Sequence, residues 1–174
     1  DPLKTLEVNG LVTARICKTI HEHKLNTKLF NASSSEMYKE HKKYFVSEDD
    51  YHMCNTHPYA IAKATGYNIV NHYRKTYNLP FSNGVLFTIE SSKKSDTYLL
   101  NKVVKHARNN IPLRLGNINC TKNILHASDA ASAIKKIIEQ PKGDSYVICN
   151  TESIHLRDFI RKIYEKFGRT LEYQ

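Results

Sequence analysis

The segment Pro58–Tyr77 constrains the fold more than any other part of this chain. Proline is pre-organised for the first helical turn, and Asn78-Leu79-Pro80 ends the helix that Pro58 opens. Apolar segments flank it. Thr27–Ala32 reads as a short buried strand, and Phe81–Ile89, with Val85, Leu86 and Phe87, reads as another. A strand, a long helix and a second strand in succession call for α/β layering around a mostly parallel sheet.

The alternation continues along the chain. Val8–His23 reads as a helix with Leu11, Ala14, Ile16 and Ile20 near one side. Ser33–Asn55 is a polar loop with a small helical piece. Thr97–Asn110 is helical and stops before Pro112, and Leu113–Leu115 is expected as a short strand. Ser128–Gln140 is a helix with Asp129 in its first turn, where a carboxylate suits the dipole. Ser145–Cys149 is a strand, His155–Phe167 the last helix with Gly168 at its end, and Thr170–Tyr173 the start of a further strand. With no internal linker evident, residues 1–174 read as a single domain.

Composition narrows the classes. Hydrophobic residues make up 40% and charged residues 25%, as in a folded, water-soluble protein. No apolar run reaches membrane-spanning length and no signal-peptide pattern opens the chain, so a cytoplasmic protein without a membrane partner is expected. Cys17, Cys54, Cys120 and Cys149 lack C-x-x-C spacing, which argues against structural zinc and for buried or half-buried free thiols. His21 and His23 are two apart and face differently on a helix, and no metal site is expected. The net charge is +9, but the basic residues are dispersed over Lys39–Lys43, Lys93-Lys94 and Arg157–Lys166. The last group is the solvated side of a helix whose apolar face is Leu156, Phe159, Ile160, Ile163, Tyr164 and Phe167. With no concentrated basic stripe and no recognised motif, a nucleic-acid partner is not expected.

The chemistry concentrates near the start of the long helix. Tyr59 and Lys63 are four apart and share one helix face. An ammonium beside a phenol stabilises the phenolate, which suits a general acid–base that exchanges a proton with a sugar hydroxyl. The run Asn31-Ala32-Ser33-Ser34-Ser35-Glu36 precedes them.

These residues, in this order, resemble the GDP-mannose 4,6-dehydratases of the extended short-chain dehydrogenase/reductases. Asn31-Ala32-Ser33-Ser34-Ser35-Glu36-Met37-Tyr38 is similar to that family's Ala-Ser-Thr-Ser-Glu-Leu-Tyr-Gly stretch, and Pro58-Tyr59-Ala60-Ile61-Ala62-Lys63 to its Pro-Tyr-Gly-Ala-Ala-Lys. Tyr73–Leu79, Asn83-Gly84-Val85-Leu86-Phe87, Glu90-Ser91 and His126-Ala127-x-Asp129 also have counterparts. The resemblance implies a partial Rossmann-like fold, NADP as cofactor and a nucleotide sugar, GDP-mannose, as substrate. It implies that Tyr59 takes the C4 hydroxyl proton, Glu36 takes the C5 proton, and Ser34 hydrogen-bonds the C4 oxygen. Lys63 would tune Tyr59 and contact the nicotinamide ribose, and Lys94 would lie on the cofactor side. Thr88 and Lys122 occupy positions that the family uses toward the substrate.

The match is divergent. The six glycines, Gly10, Gly66, Gly84, Gly116, Gly143 and Gly168, form no G-x-G-x-x-G, so the Gly-rich first half of a dinucleotide-binding fold is expected to be missing. Thr88-Ile89 and Lys93-Lys94 stand where the family has Asn-His and Arg-Arg, and Lys122-Asn123-Ile124-Leu125 where it has Arg-Asp-Trp-Gly. Two functions follow: a dehydratase-like chain that is inactive alone, or a non-enzymatic structural or interaction protein derived from this fold. In either case an incomplete sheet calls for self-association or a partner chain to cover it.

Overall fold

The central helix begins and ends where its punctuation places it. The computed structural model of this protein describes residues 1–38, 46–48, 50 and 56–171. In chain order these form α1 (Pro2–Leu6), α2 (Val12–Glu22), β1 (Leu29–Ser34), α3 (Pro58–Tyr77), β2 (Phe81–Leu86), β3 (Thr88–Glu90), α4 (Leu99–Asn109), β4 (Thr121–Lys122), β5 (Ile124–His126), α5 (Ala127–Glu139), β6 (Ser145–Ile148), β7 (Ile154–His155) and α6 (Leu156–Lys166). Pro58 is the first residue of α3, and Asn78 ends the helix in the left-handed conformation, with φ 52°.

Two compact units result: Asp1–Phe87 with Asp129–Ile148, and Thr88–Ser128 with Cys149–Gln174. The chain passes between them three times, within otherwise ordinary segments, so no linker composition marks the boundary.

Unit 1 contains a parallel sheet in the order β1-β2-β6. Asn31 lies beside Asn83 and Ser34 beside Leu86, and Val85 beside Val147. α3 packs against β1 and β2, and α1 and α2 pack against α3. A π-helical turn, Glu7–Leu11, joins α1 to α2. The buried side here is Gly10, Thr13, Cys17 and Ile20, whereas Ile16, expected on that side, is 46% exposed. Close approach is the reason: a Cβ on Gly10 would stand 2.9 Å from the Ala62 carbonyl oxygen, so small residues face α3 and the bulky Ile16 turns out. The core comprises one cluster around Met37, Tyr67 and Val85 and another around Cys17, Ile20, Val70 and Phe81. Lys28 Nζ closes the far end of α5, donating to the carbonyls of Ile138 and Gln140 at 2.8 Å each.

Unit 2 holds two small sheets, β3 parallel to β5 and β4 antiparallel to β7. α4 packs on α6 around Val103, Ala107, Leu113, Ile118, Leu156 and Ile160. Leu113–Leu115 forms no strand. Leu113 makes a single isolated bridge, and its side chain, 2% exposed, belongs to that apolar core. The expected strand Phe81–Ile89 is interrupted at Phe87, where β2 of unit 1 ends and β3 of unit 2 begins one residue later. Thr170 and Leu171 lie in no strand, and the rest of the expected Thr170–Tyr173 segment lies outside the described residues. Among the described cysteines Cys17 is buried and Cys120 half-buried, whereas Cys149 is exposed. Cys54 and Lys39–Lys43 lie outside the described residues.

Candidate active site

Four of the seven expected site residues fall in unit 1. β1 delivers Ser34 at its last position, and a 3-10 turn, Ser35–Tyr38, carries Glu36 directly after it. α3, packed against both pieces, presents Tyr59 and Lys63 from its first two turns. The bond from Lys63 Nζ to the Ala32 carbonyl joins the start of α3 to β1, two residues before Ser34.

The polar contacts define roles. Ser34 is 9% exposed, and its Oγ accepts the Glu36 backbone N–H at 3.3 Å. The hydroxyl proton is therefore left to donate. Ser33 is buried, with Oγ 3.2 Å from Met37 Sδ, so it is committed to the interior. Glu36 and Tyr59 are both half-buried. Lys63 Nζ lies 5.6 Å from the centroid of the Tyr59 ring and donates to the Ala32 carbonyl at 3.0 Å. Burial holds the Lys63 ammonium below the ordinary lysine range. One of its three donors is used by Ala32, which leaves capacity for a further acceptor.

The other three expected residues fall in unit 2. Thr88 opens β3, and its backbone N–H donates to the Asn123 carbonyl at 3.2 Å. Lys122 is exposed on β4, beside Ile154. Lys94 is occupied: Nζ donates to the Ile89 carbonyl at 2.7 Å, pairs with Glu90 Oε1 at 3.1 Å, and lies 4.4 Å from the Tyr98 ring centroid. Asn123 is also committed, its Nδ2 donating to Asn150 O and its Oδ1 accepting from Asn150 N, both at 2.8 Å. No group of three potential metal-ligating side chains occurs among the described residues. No described helix is long and apolar enough to cross a membrane.

Sequence reasoning missed a polar network beneath the unit 1 site. Asn83 is fully buried, and its Nδ2 donates to Tyr67 O at 3.1 Å and to Asn71 Oδ1 at 2.9 Å. Asn31 Nδ2 donates to Asn83 Oδ1 at 2.8 Å. Arg74 and Ser145 both donate to Asn71 Oδ1, at 2.8 and 3.2 Å. The available signal was an amide side chain inside an apolar strand, since buried polar groups are retained only where they are satisfied.

Residues 1–174 match the family model described as GDP-mannose 4,6 dehydratase. The chain is 29% identical over 180 residues to GDP-mannose 4,6 dehydratase 2 of Caenorhabditis elegans, covering 99% of this chain and 47% of that protein. It is 30% identical over 178 residues to GDP-mannose 4,6 dehydratase of Dictyostelium discoideum, covering 98% and 49%. The chain thus spans about half the length of these curated relatives. Among solved structures it is similar to dTDP-glucose 4,6-dehydratase from Bacillus anthracis in complex with NAD, with TM-score 0.89 and 22% identity over 100% of this chain and 57% of that one. It is also similar to RMD from Pseudomonas aeruginosa complexed with NADPH, with TM-score 0.86 and 18% identity over 100% and 63%. The fold is accordingly a partial Rossmann-like one of the extended short-chain dehydrogenase/reductase type. By the match over its full length, this chain belongs to the GDP-mannose 4,6 dehydratase family.

Proposed function

We propose that this chain carries the proton-transfer residues of a nucleotide-sugar 4,6-dehydratase acting on GDP-mannose. The observation that supports this most directly is the pair on α3: an ammonium anchored on Ala32 and held 5.6 Å from the Tyr59 ring centroid. Tyr59 then takes the proton of the C4 hydroxyl, while the Ser34 hydroxyl, whose proton is left to donate, hydrogen-bonds the same oxygen. The C4 ketone acidifies C5–H, and Glu36 takes that proton as the C6 hydroxyl leaves as water. A nicotinamide held through Lys63 would supply the hydride transfer between C4 and C6 that this reaction requires.

The residues present fit one end of such a cofactor. Lys63 keeps donor capacity for a ribose hydroxyl, and the relatives of known structure that share this fold are described as NAD or NADPH complexes. NADP is proposed here on the family resemblance. The six glycines form no G-x-G-x-x-G, and Lys94 is tied within unit 2 by Glu90, Ile89 and Tyr98. We therefore expect the isolated 174-residue chain to bind NADP poorly and to be inactive by itself. A partner chain or a second copy, laid against the edge of the three-stranded sheet, would cover what β1 leaves open.

The test is to incubate the purified chain with GDP-mannose and NADP, measure cofactor binding by calorimetry, and follow the 4-keto-6-deoxy product. Absence of turnover by the chain alone, with turnover restored by a separately supplied Gly-rich half and lowered about 10²–10⁴-fold by Tyr59→Phe, is the expected result. Turnover by the chain alone would overturn the inactivity. Full turnover by the reconstituted Tyr59→Phe variant would overturn the role of Tyr59. No turnover after a Gly-rich half has bound would favour the non-enzymatic interaction protein.

A further inference from the structure

We infer that Asn83 is a positioning residue: by tying Tyr67 and Asn71 of α3 to Asn31 of β1, it sets the seat of Lys63 on Ala32 and with it the place of Tyr59. This rests on the reading of Tyr59 and Lys63 as the reacting pair.

The two ties between α3 and β1 are immediate neighbours. Asn31 precedes Ala32, whose carbonyl takes the Lys63 ammonium. Tyr67, whose carbonyl takes the Asn83 amide, follows Lys63 by about one helical turn. Asn83 uses both ends of its side chain: two bonds to α3 through Nδ2 and one from Asn31 through Oδ1. The amide can satisfy all three in one register only. A slip of α3 by a single residue moves its side chains about 1.5 Å along the axis, which takes a donor out of hydrogen-bond range.

The network extends on both sides of Asn83. Thr13 of α2 reaches Asn31 Oδ1 at 3.4 Å. Arg74 bonds Ser145 of β6 at 3.0 Å and the Phe81 carbonyl at 3.3 Å. Helix α3 is therefore referenced to all three strands of the sheet. Apolar side chains of similar size at positions 31 and 83 would pack against the same neighbours, and replacing both members of a buried hydrogen-bonded pair is often close to neutral in stability. What the amides add is a fixed register, one attested use of buried polar groups.

The titration of Lys63 reports its seat. In the wild type, burial holds that ammonium below the ordinary lysine range. The experiment is a pH titration by NMR of the full chain carrying ¹³C at lysine Cε, for the wild type, Asn83→Leu and the double variant Asn31→Leu/Asn83→Leu. A Lys63 displaced toward solvent titrates higher, and an upward shift of about half a unit or more is expected in both variants, with the other lysines unmoved. The double variant regains the stability lost in the single one but keeps the shifted titration. A folded variant whose Lys63 titrates as in the wild type overturns the inference. Where neither leucine variant folds, Asn31→Ala on the half-buried edge strand removes the donor to Asn83 and carries the same expectation. Failure of the dehydratase reading is seen in turnover, and failure of this one in the Lys63 titration, so the two are distinguishable.

Discussion

In unit 1 the fully buried Asn83 makes three hydrogen bonds. In unit 2 the buried atoms Glu90 Oε2, Tyr164 Oη and Arg169 Nη1 have none. No buried side-chain polar atom among the described residues of unit 1 is left in that state. An unsatisfied buried group costs about 1–3 kcal/mol. The interior of unit 1 therefore specifies one arrangement of strands and helix, whereas unit 2 relies on the apolar packing of α4 against α6 and tolerates polar debt at three positions. The difference falls where the chemistry is expected. Tyr59 and Lys63, the pair proposed to react, belong to the unit with the closed network, and the divergent positions Thr88, Lys94 and Lys122 to the other.

The largest expected effect tests how little unit 1 can yield. A Cβ at Gly143 would overlap the Phe81 carbonyl oxygen, a backbone atom that cannot turn aside. Gly143→Ala should therefore cost about 3 kcal/mol or more in chemical denaturation. A cost below about 1 kcal/mol would show that β2 and the turn before β6 move freely, and the contrast between the units would break.

Alkaline unfolding is the next test. Burial pushes the Cys17 thiol up to about 11 from 9.0. Between those values the folded chain keeps a proton that the unfolded chain releases, so stability present below pH 9 is lost as the pH rises through 11. A thiol displaced by that much contributes about 2–3 kcal/mol. Lys63 has the opposite sign: its folded value lies below 10.5, so the unfolded chain binds more protons in that window and stability rises through it. Cys17→Ala should flatten the alkaline loss measured by denaturation at a series of pH values, and an unchanged slope would assign that loss elsewhere.

Two smaller effects probe unit 2. Lys94→Met should cost about 2 kcal/mol, because Glu90 keeps its carboxylate buried and loses the partner of Oε1. A loss equal to that of Lys105→Met, which breaks an exposed pair with Asp96, would show that Lys94 does not hold β3 to α4. Tyr164→Phe should be the mildest, neutral or stabilising by up to about 1 kcal/mol, since the hydroxyl it removes has no partner. A destabilisation instead would mean that the phenol is satisfied in solution and that the two units are alike.

The helix carrying the reacting pair was legible to its ends, because Pro58 and Asn78 act on backbone geometry without help from distant residues. The order of the helices and of the longer strands β1, β2 and β6 was legible for the same reason: it rests on local pattern. β4, β5 and β7 were not legible. Two or three residues long, they exist only through their pairing partners. Ile16 was grouped with Ile20 by hydrophobicity, whereas the close approach of Gly10 to Ala62 turns the side bearing Gly10, Thr13, Cys17 and Ile20 to the interior and leaves Ile16 out.

By itself, then, the sequence determined the α/β alternation and the family, and it singled out Ser34, Glu36, Tyr59 and Lys63 as candidates for the chemistry, since propensity, capping and motif order are properties of neighbours along the chain. The tertiary structure alone decided the division into two units, the seat of Lys63 on Ala32 and the network around Asn83. Those depend on atoms distant in sequence meeting at hydrogen-bond range, as when Asn31, Tyr67 and Asn71 converge on Asn83. Such meetings are specified by packing across the whole unit, and no local pattern encodes them.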